Sequence, residues 1–394
     1  MTLHAARGTA AWVEGRDILV VQDTSELAFG AKSARANGYG PVGKGGGSGG
    51  LLLHAALAID RRTGAMLGLA HAEIWNREGG ERVSPRRTRL IADKESRRWL
   101  DVSDRAGEML TAAQSITVVS DRESDIYEYF VKRPMNVNLI VRASQNRKIA
   151  TDAEGAFLFP FIDSLLETGR FFANIPAAPG RKERMATLAV RFSTVELRRP
   201  LHGARSLPET MSVTLVDVRE VSRPASAEPI HWRLLTTLKA TELSEARQII
   251  DCYRMRWCIE EFFRTLKTAG FNIEQADISD PRAMINFVAA ATVAAVTIMQ
   301  LVKARDGTTH QPLAEVFEVS DQPLLESISL KLTGATKCQQ NQHPPGSLAF
   351  AAWVIARLGG WSGYYGKPGP KVMRRGLGDF QRIKFGFTLR FEDV

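Results

Sequence analysis

The sequence predicts an α/β protein whose core is interrupted by a β-rich insertion and followed by helices. Three observations carry this. Apolar runs at 16–23 and 115–121 each end on an aspartate. Residues 147–238 hold β-prone segments separated by proline and glycine turns. From residue 244 onward, apolar residues recur at helical spacing. With 394 residues and 44% apolar content, the chain is long enough for an elaborated core plus an appendage.

Element by element, "RDILVVQD" is a strand closed by Asp23, and "GGLLLHAALAIDRRTGAMLGLAHAEIW" is two strands joined by a turn at Thr63 and Gly64. These make a small antiparallel sheet. Between them, "ANGYGPVGKGGGSGG" is so rich in glycine that a mobile loop is expected. Gly38, Gly43 and Lys44 have phosphate-loop spacing there, but Gly45 stands where that loop needs Ser or Thr, and the flanking strand and helix are missing. Nucleotide binding is not expected. A helix over "DKESRRWLDVSDRAGEML" precedes the strand "SITVVSD" that ends at Asp121. "RESDIYEYF" has helical spacing, and "VNLIVRAS" is a strand up to about Ser144.

After the insertion, "SEARQIIDCYRMRWCIEEFFRTLKTAG" reads as one long helix capped at Ser244 and stopped at Gly270. Further helices, a polar linker near "TKCQQNQHPPG", the apolar "LAFAAWVIARLGGW" and a basic, glycine-rich tail complete the chain. The run "FVAAATVAAVTIMQLV" falls short of the roughly 20 residues that span a bilayer, so a buried helix at a packing interface is expected and no membrane partner. The first residues lack the apolar segment of a signal peptide.

Composition narrows the chemistry. A formal charge of +9 favours polyanionic partners. Three cysteines, Cys252, Cys258 and Cys338, are too few for a disulfide framework or a four-ligand zinc site, and the seven histidines are dispersed. A reducing interior follows.

On a helix advancing about 100° per residue, Tyr253, Arg256, Glu260 and Lys267 fall within roughly 60° of one another, and Glu261 points about 100° away from Glu260. An ordinary Arg256–Glu260 ion pair on a solvated face would explain that pattern alone. Asp23 and Asp121, at strand ends, add two carboxylates. Two aspartates and a glutamate suit Mg²⁺ or Mn²⁺. Two such ions about 3.5–4 Å apart support in-line phosphoryl transfer. Arg256, Arg264 and Lys267 beside them make sense for an anionic substrate such as a phosphodiester backbone.

The pattern Y-x2-R-x3-E-x6-K formed by Tyr253, Arg256, Glu260 and Lys267 resembles the signature of bacterial DDE transposases of the insertion-sequence-four type, transposon-five-like subgroup. "VQDTSELAF", "VVSDRESDIYEYF" and "HWRLLTTL" agree with it in the same order. The resemblance runs from about residue 16 to 302 and more loosely to 387. It implies a ribonuclease-H-like catalytic domain over 1–303, with the β-rich insertion at about 147–238, and a helical dimerisation region over 304–394. Asp23, Asp121 and Glu260 would be the catalytic, metal-binding triad. Arg142, Trp232, Tyr253, Arg256, Trp257, Arg264 and Lys267 would contact DNA, Trp232 by stacking on a flipped base. A core tryptophan is the alternative for Trp232, and Asp125 is expected to support the site rather than bind metal.

The implied reaction is metal-dependent cleavage at transposon ends, through a hairpin, and strand transfer into target DNA. The implied partners are double-stranded DNA and a second copy of the chain, in a bacterial cytoplasm at the nucleoid. The family also carries an N-terminal helical domain that reads the ends, whereas 22 residues precede Asp23 here. The competing expectation is therefore a truncated, non-catalytic inhibitor that binds DNA or dimerises with full-length enzyme.

Overall fold

The computed structural model describes residues 1–29, 38–43, 48–77, 91–151, 156–175, 183–201, 203–221 and 228–389. Among them, eleven strands join one sheet flanked by helices, a mixed α/β architecture. Its first part contains α1 (Thr2–Ala10), β1 (Asp17–Ala28), β2 (Gly40–Val42), β3 (Ser48–Asp60), β4 (Met66–Trp75), α2 (Arg98–Met109), β5 (Ser115–Ser120), α3 (Tyr127–Lys132) and β6 (Val137–Arg142). These strands lie in the order β4-β3-β1-β5-β6. β1 runs parallel to β5, and β5 parallel to β6, while β1–β3 and β3–β4 are antiparallel.

Side-chain alternation in β1 explains why the sheet is covered on both faces. Leu19 and Val21 are buried with the helices that follow residue 243. Ile18 and Val20 are buried against α2 and α3, beside Trp99, Val102 and Phe130. β5 repeats the pattern, with Val119 on the first face and Ile116 and Val118 on the second. A run of consecutive apolar residues is what a strand buried on both sides requires.

The β-rich stretch contains β7 (Ile149–Ala150), α4 (Leu158–Ser164), β8 (Gly169–Ile175), β9 (Arg184–Arg198), β10 (Thr210–Glu220) and β11 (His231–Thr236). It is not set apart from the core, as the sequence suggests. Leu234, Leu235 and Thr236 of β11 pair with Arg142, Val141 and Ile140 of β6, so the insertion extends the same sheet. α4, in "LFPFIDS", is a helix that the turn-rich composition conceals.

The glycine-rich run also differs from expectation. Gly40–Val42 and Ser48–Gly50 pair as strands at its two ends, while Lys44 and Gly45 lie outside the described residues. The turn after β3 does form at Thr63 and Gly64: the carboxylate of Asp60 accepts from the backbone of Arg62 and Thr63 at 2.9 and 3.1 Å, and Gly64 takes φ of 71°. Residues 91–97 form two 3₁₀ turns before α2 starts.

The long helix predicted from Ser244 is divided. α5 (Leu243–Met255) is capped by Glu242, in a reciprocal box with Glu245, and Ser244 lies inside it. α6 (Trp257–Arg264) follows, then a π-helical turn over Thr265–Ala269 that ends at Gly270. Bonds from Arg256 N to Tyr253 O and from Ile259 N to Arg256 O, both 3.1 Å, tighten the chain at Arg256.

α7 (Pro281–Ala304) contains the apolar run and is long and apolar enough to cross a membrane by length and composition. Half of its most apolar window is buried inside the molecule. Its first part packs on the sheet, and its end joins α8 (Gln322–Leu332), α9 (Leu348–Leu358) and α10 (Pro370–Leu389) in a third core cluster. The basic tail is thus largely helical. Gly376 lets α10 approach α9 so closely that a Cβ there would collide with the carbonyl oxygen of Ile355, whereas a Cβ at Gly378 meets nothing within 4 Å. Thermal unfolding should therefore separate two identical substitutions. Gly376→Ala is expected to destabilise by roughly 1–3 kcal/mol through overpacking. Gly378→Ala is expected to raise stability by up to about 1 kcal/mol through helix propensity.

Candidate active site

Strand parity aims two carboxylates at the same helix. Asp23 does not close its strand as the sequence suggests, because β1 keeps pairing with β3 as far as Ala28. The β1–β5 ladder, however, stops at Val21 and Val119. Two residues beyond each, Asp23 and Asp121 share the parity of those valines and face α5 and α6. From those helices, the Arg256 guanidinium reaches back. Its Nη1 donates to Asp23 Oδ2 at 3.1 Å and its Nη2 to Glu260 Oε1 at 3.2 Å. Tyr253 Oη donates to Asp121 Oδ1 at 3.2 Å. Residues separated by more than 200 positions along the chain thus meet at one place.

The arginine is the buried centre of this arrangement, with 8% of its side chain exposed against 21% for Asp23 and 45% for Glu260. Burial pushes the Asp23 carboxyl up to about 6; Arg256 and the Thr24 backbone N–H oppose the shift, and Glu260 and Asp121 add to it. Burial and the Asp121 carboxylate likewise push the Tyr253 phenol up to about 12, which keeps its proton available for donation. Glu261 turns away and pairs with Lys303 of α7 at 3.2 Å. Periodicity therefore separates the two adjacent glutamates correctly in direction.

Among the described residues, no three His, Cys, Asp or Glu side chains already stand close enough to share one ion. The donor chemistry nevertheless fits a hard divalent cation. Three carboxylates lie around one guanidinium, the sum is negative, and burial raises the Asp23 carboxyl. A divalent ion would satisfy that charge better than one arginine does.

Five of the seven residues expected to contact DNA line one cavity of about 650 Å³: Arg142, Trp232, Tyr253, Arg256 and Trp257. Trp232 packs edge to face on Tyr253, with centroids 5.5 Å apart. It is partly buried and lines the cavity. Arg142 is anchored through Nη2 to the His231 carbonyl at 3.1 Å, and Trp257 is 51% exposed. Arg254 and Asn174 also line the cavity. Neither is singled out by sequence, since one is a basic residue among many and the other lies in the insertion.

Two residues go elsewhere. Lys267 follows the onset of the π turn, and its ammonium donates to the Glu26 carbonyl at 2.5 Å and pairs with Glu274 at 3.4 Å, fastening the helix to β1. Arg264 is exposed beside Lys371, near the start of α10. Asp125 is buried and supports the loop after β6: it accepts from the backbone of Ser144 and Gln145 at 2.8 and 2.9 Å and pairs with Arg147 at 2.7 Å.

The raised Asp23 value has a consequence for stability. A carboxyl whose folded pKa exceeds its unfolded value holds its proton more tightly when folded, so it weighs against the fold as pH rises from about 4 through about 6. Asp23→Asn is expected to stabilise the metal-free protein by roughly 2 kcal/mol at pH 8 and by little at pH 4. Denaturant unfolding at the two pH values checks this, and an equal effect at both would contradict it.

A solved structure described as a piggyBac transposase synaptic complex with hairpin DNA is similar over 73% of this chain and 47% of that chain, at 7% identity and a TM-score of 0.34. The present chain therefore spans less than half of that protein. A family model described as the transposase DDE domain matches residues 22–297, which include both aspartates and Glu260. The chain belongs to the transposase DDE domain family.

Proposed function

We propose that this chain is a DNA-cleaving and strand-transferring transposase of the insertion-sequence-four, transposon-five-like kind, with Asp23, Asp121 and Glu260 as its catalytic carboxylates. The observation that carries this is the Arg256 guanidinium joining an aspartate inside β1 to a glutamate 237 positions later, beside an aspartate at the end of β5 held by Tyr253. The strand order β4-β3-β1-β5-β6, with a parallel centre and an antiparallel edge, supports a ribonuclease-H-like reading of the core within residues 1–303. The helices of 304–394 are assigned to dimerisation in the DNA complex. The site of action is the bacterial cytoplasm, at the nucleoid.

Asp23, Asp121 and Glu260 would hold Mg²⁺ or Mn²⁺, two ions in this reading, and these supply the Lewis acidity that activates an attacking oxygen and stabilises a leaving one. Arg256 keeps Asp23 and Glu260 together before the ions and DNA arrive, and its guanidinium then turns to donate to a phosphate oxygen. Tyr253 orients Asp121 through its retained proton. Trp232 offers a stacking platform for an unpaired base in the cavity, and Arg142 and Trp257 line the approach. Because Arg256 serves the carboxylates in one state and DNA in the other, metal and DNA binding favour one another.

The test is Mn²⁺- or Mg²⁺-dependent nicking and joining of DNA carrying the element's ends. Asp23→Asn, Asp121→Asn and Glu260→Gln are each expected to lose at least about 100-fold in rate. Glu261→Gln, whose side chain faces α7, is expected to stay near wild type. Equal activity in wild type and Glu260→Gln would remove the assignment. Tight end binding without cleavage in every variant is the behaviour of the inhibitor reading.

A further inference from the structure

Asp23, inside β1, and Asp121, just after β5, stand beyond the last backbone pair between those two strands that could fix their separation. β1 and β5 pair as far as Val21 and Val119. In continued register, Gln22 would lie beside Ser120 and then Asp23 beside Asp121. The ladder ends before either of those pairs.

On the face opposite the carboxylates, side chains take over where the ladder stops. Gln22, His54, Ser103, Ser120, Ser124 and Tyr129 are all completely buried there. Gln22 Nε2 donates to Tyr129 Oη at 2.7 Å, and the same phenol is 2.7 Å from Ser103 Oγ. One oxygen therefore ties the residue before Asp23 to α2 and to α3, the helix that follows Asp121. Further bonds hold the residues around both aspartates. Ser120 Oγ lies 2.6 Å from Ser124 Oγ, which donates to the Asp121 carbonyl at 2.7 Å. Gln22 Oε1 is 2.9 Å from His54 Nε2, whose Nδ1 is 2.8 Å from Thr24 Oγ1.

The order of the protons follows from the Trp99 carbonyl, which can only accept and lies 3.4 Å from Gln22 Nε2. With its amide nitrogen facing that carbonyl and the phenol, Gln22 turns Oε1 to His54; the neutral ring therefore carries its proton on Nε2, and its bare Nδ1 accepts the Thr24 hydroxyl proton while Thr24 Oγ1 accepts from Arg98 Nε at 2.8 Å. Burial and the Arg98 charge keep the His54 ring neutral, as this order needs. A buried chain in which each donor finds an acceptor is rigid, because any displacement strands a polar group away from water.

We propose that Tyr129 is a positioning residue of the metal-dependent reaction, its phenol oxygen fastening β1 at Gln22 to the helices behind it and so fixing where Asp23 stands relative to Asp121. This rests on the reading of those aspartates as metal ligands. Groups behind metal ligands commonly change metal affinity by about 10–100-fold when removed. Tyr129→Phe deletes that oxygen while keeping the ring. Tyr127→Phe is the matched control: Tyr127 is equally buried, but its hydroxyl bonds the Pro208 carbonyl instead.

The experiment is calorimetric titration of the full chain with Mn²⁺ alone, alongside thermal melting. Both tyrosine variants are expected to lose some thermal stability. Only Tyr129→Phe is expected to bind Mn²⁺ about tenfold more weakly. In the cleavage assay it should lower kcat with little change in KM for DNA. Wild-type affinity in folded Tyr129→Phe, or an equal loss in Tyr127→Phe, overturns the positioning role. If Tyr129→Phe does not fold, Ser103→Ala removes a bond to the same phenol at less cost to packing. A smaller weakening in the same direction is expected of it, and unchanged affinity overturns the proposal. Asp23→Asn separates the two layers. Wild-type binding of Mn²⁺ that survives Asp23→Asn, or no binding in wild type, removes the ligand reading and this role with it.

Discussion

Three carboxylates gathered in a partly buried place repel one another, and this structure answers that repulsion with one guanidinium. Arg256 is bonded to Asp23 and Glu260 at once, and Tyr253, one turn earlier, holds Asp121. Everything around the site serves to bring that arginine to those acids. The tightened turn at Arg256 divides α5 from α6 and sets the direction from which the guanidinium enters. Below it, Ile259, Phe262 and Leu266 are buried in the cluster that also contains Leu19 and Val21, so the helix and the strands cannot shift independently.

The sheet converts that packing into aim. Alternation sends Leu19, Val21 and then Asp23 to one face, and Val20, Gln22 and Thr24 to the other. A strand buried on both sides can therefore present a carboxylate above and anchor it below, with polar groups that never meet solvent. The β-rich insertion contributes from the side. Because β11 pairs directly with β6, Trp232 is held on the same continuous sheet as Asp121 rather than on a separate flap. The cation on the helix, the acids on the strands and the aromatic on the insertion are thus fixed relative to one another.

Much of this is legible in the sequence, and the limits have physical causes. An apolar run closed by an aspartate marks Asp121 at the end of β5, but β1 runs on past Asp23 to Ala28 because it keeps pairing with β3. Helical periodicity distinguishes Glu260 from Glu261. Local pattern cannot say where a ladder ends or which strand accepts the next one. That is why the insertion reads as separate and why the Gln22–Tyr129–Ser103 bonds leave no signal beyond a glutamine before Asp23 and a histidine within "LLLHAALA". An ideal helix places Lys267 with Tyr253 and Glu260. The tightened turn and the π turn change the angle, and its charge goes to the Glu26 carbonyl and Glu274 instead. The last helix is hidden by its glycines, one of which is there for the close approach of α10 to α9.

The central claim is that Asp23, Asp121 and Glu260 act as one divalent-metal site, for which Arg256 substitutes in the metal-free protein. Anomalous diffraction from crystals of the chain with end DNA and Mn²⁺ tests it directly. The account predicts manganese peaks against the Asp23 and Asp121 carboxylates, with the Arg256 guanidinium withdrawn toward a phosphate. Manganese bound elsewhere, or Arg256 still bridging Asp23 and Glu260 with DNA in place, would contradict it.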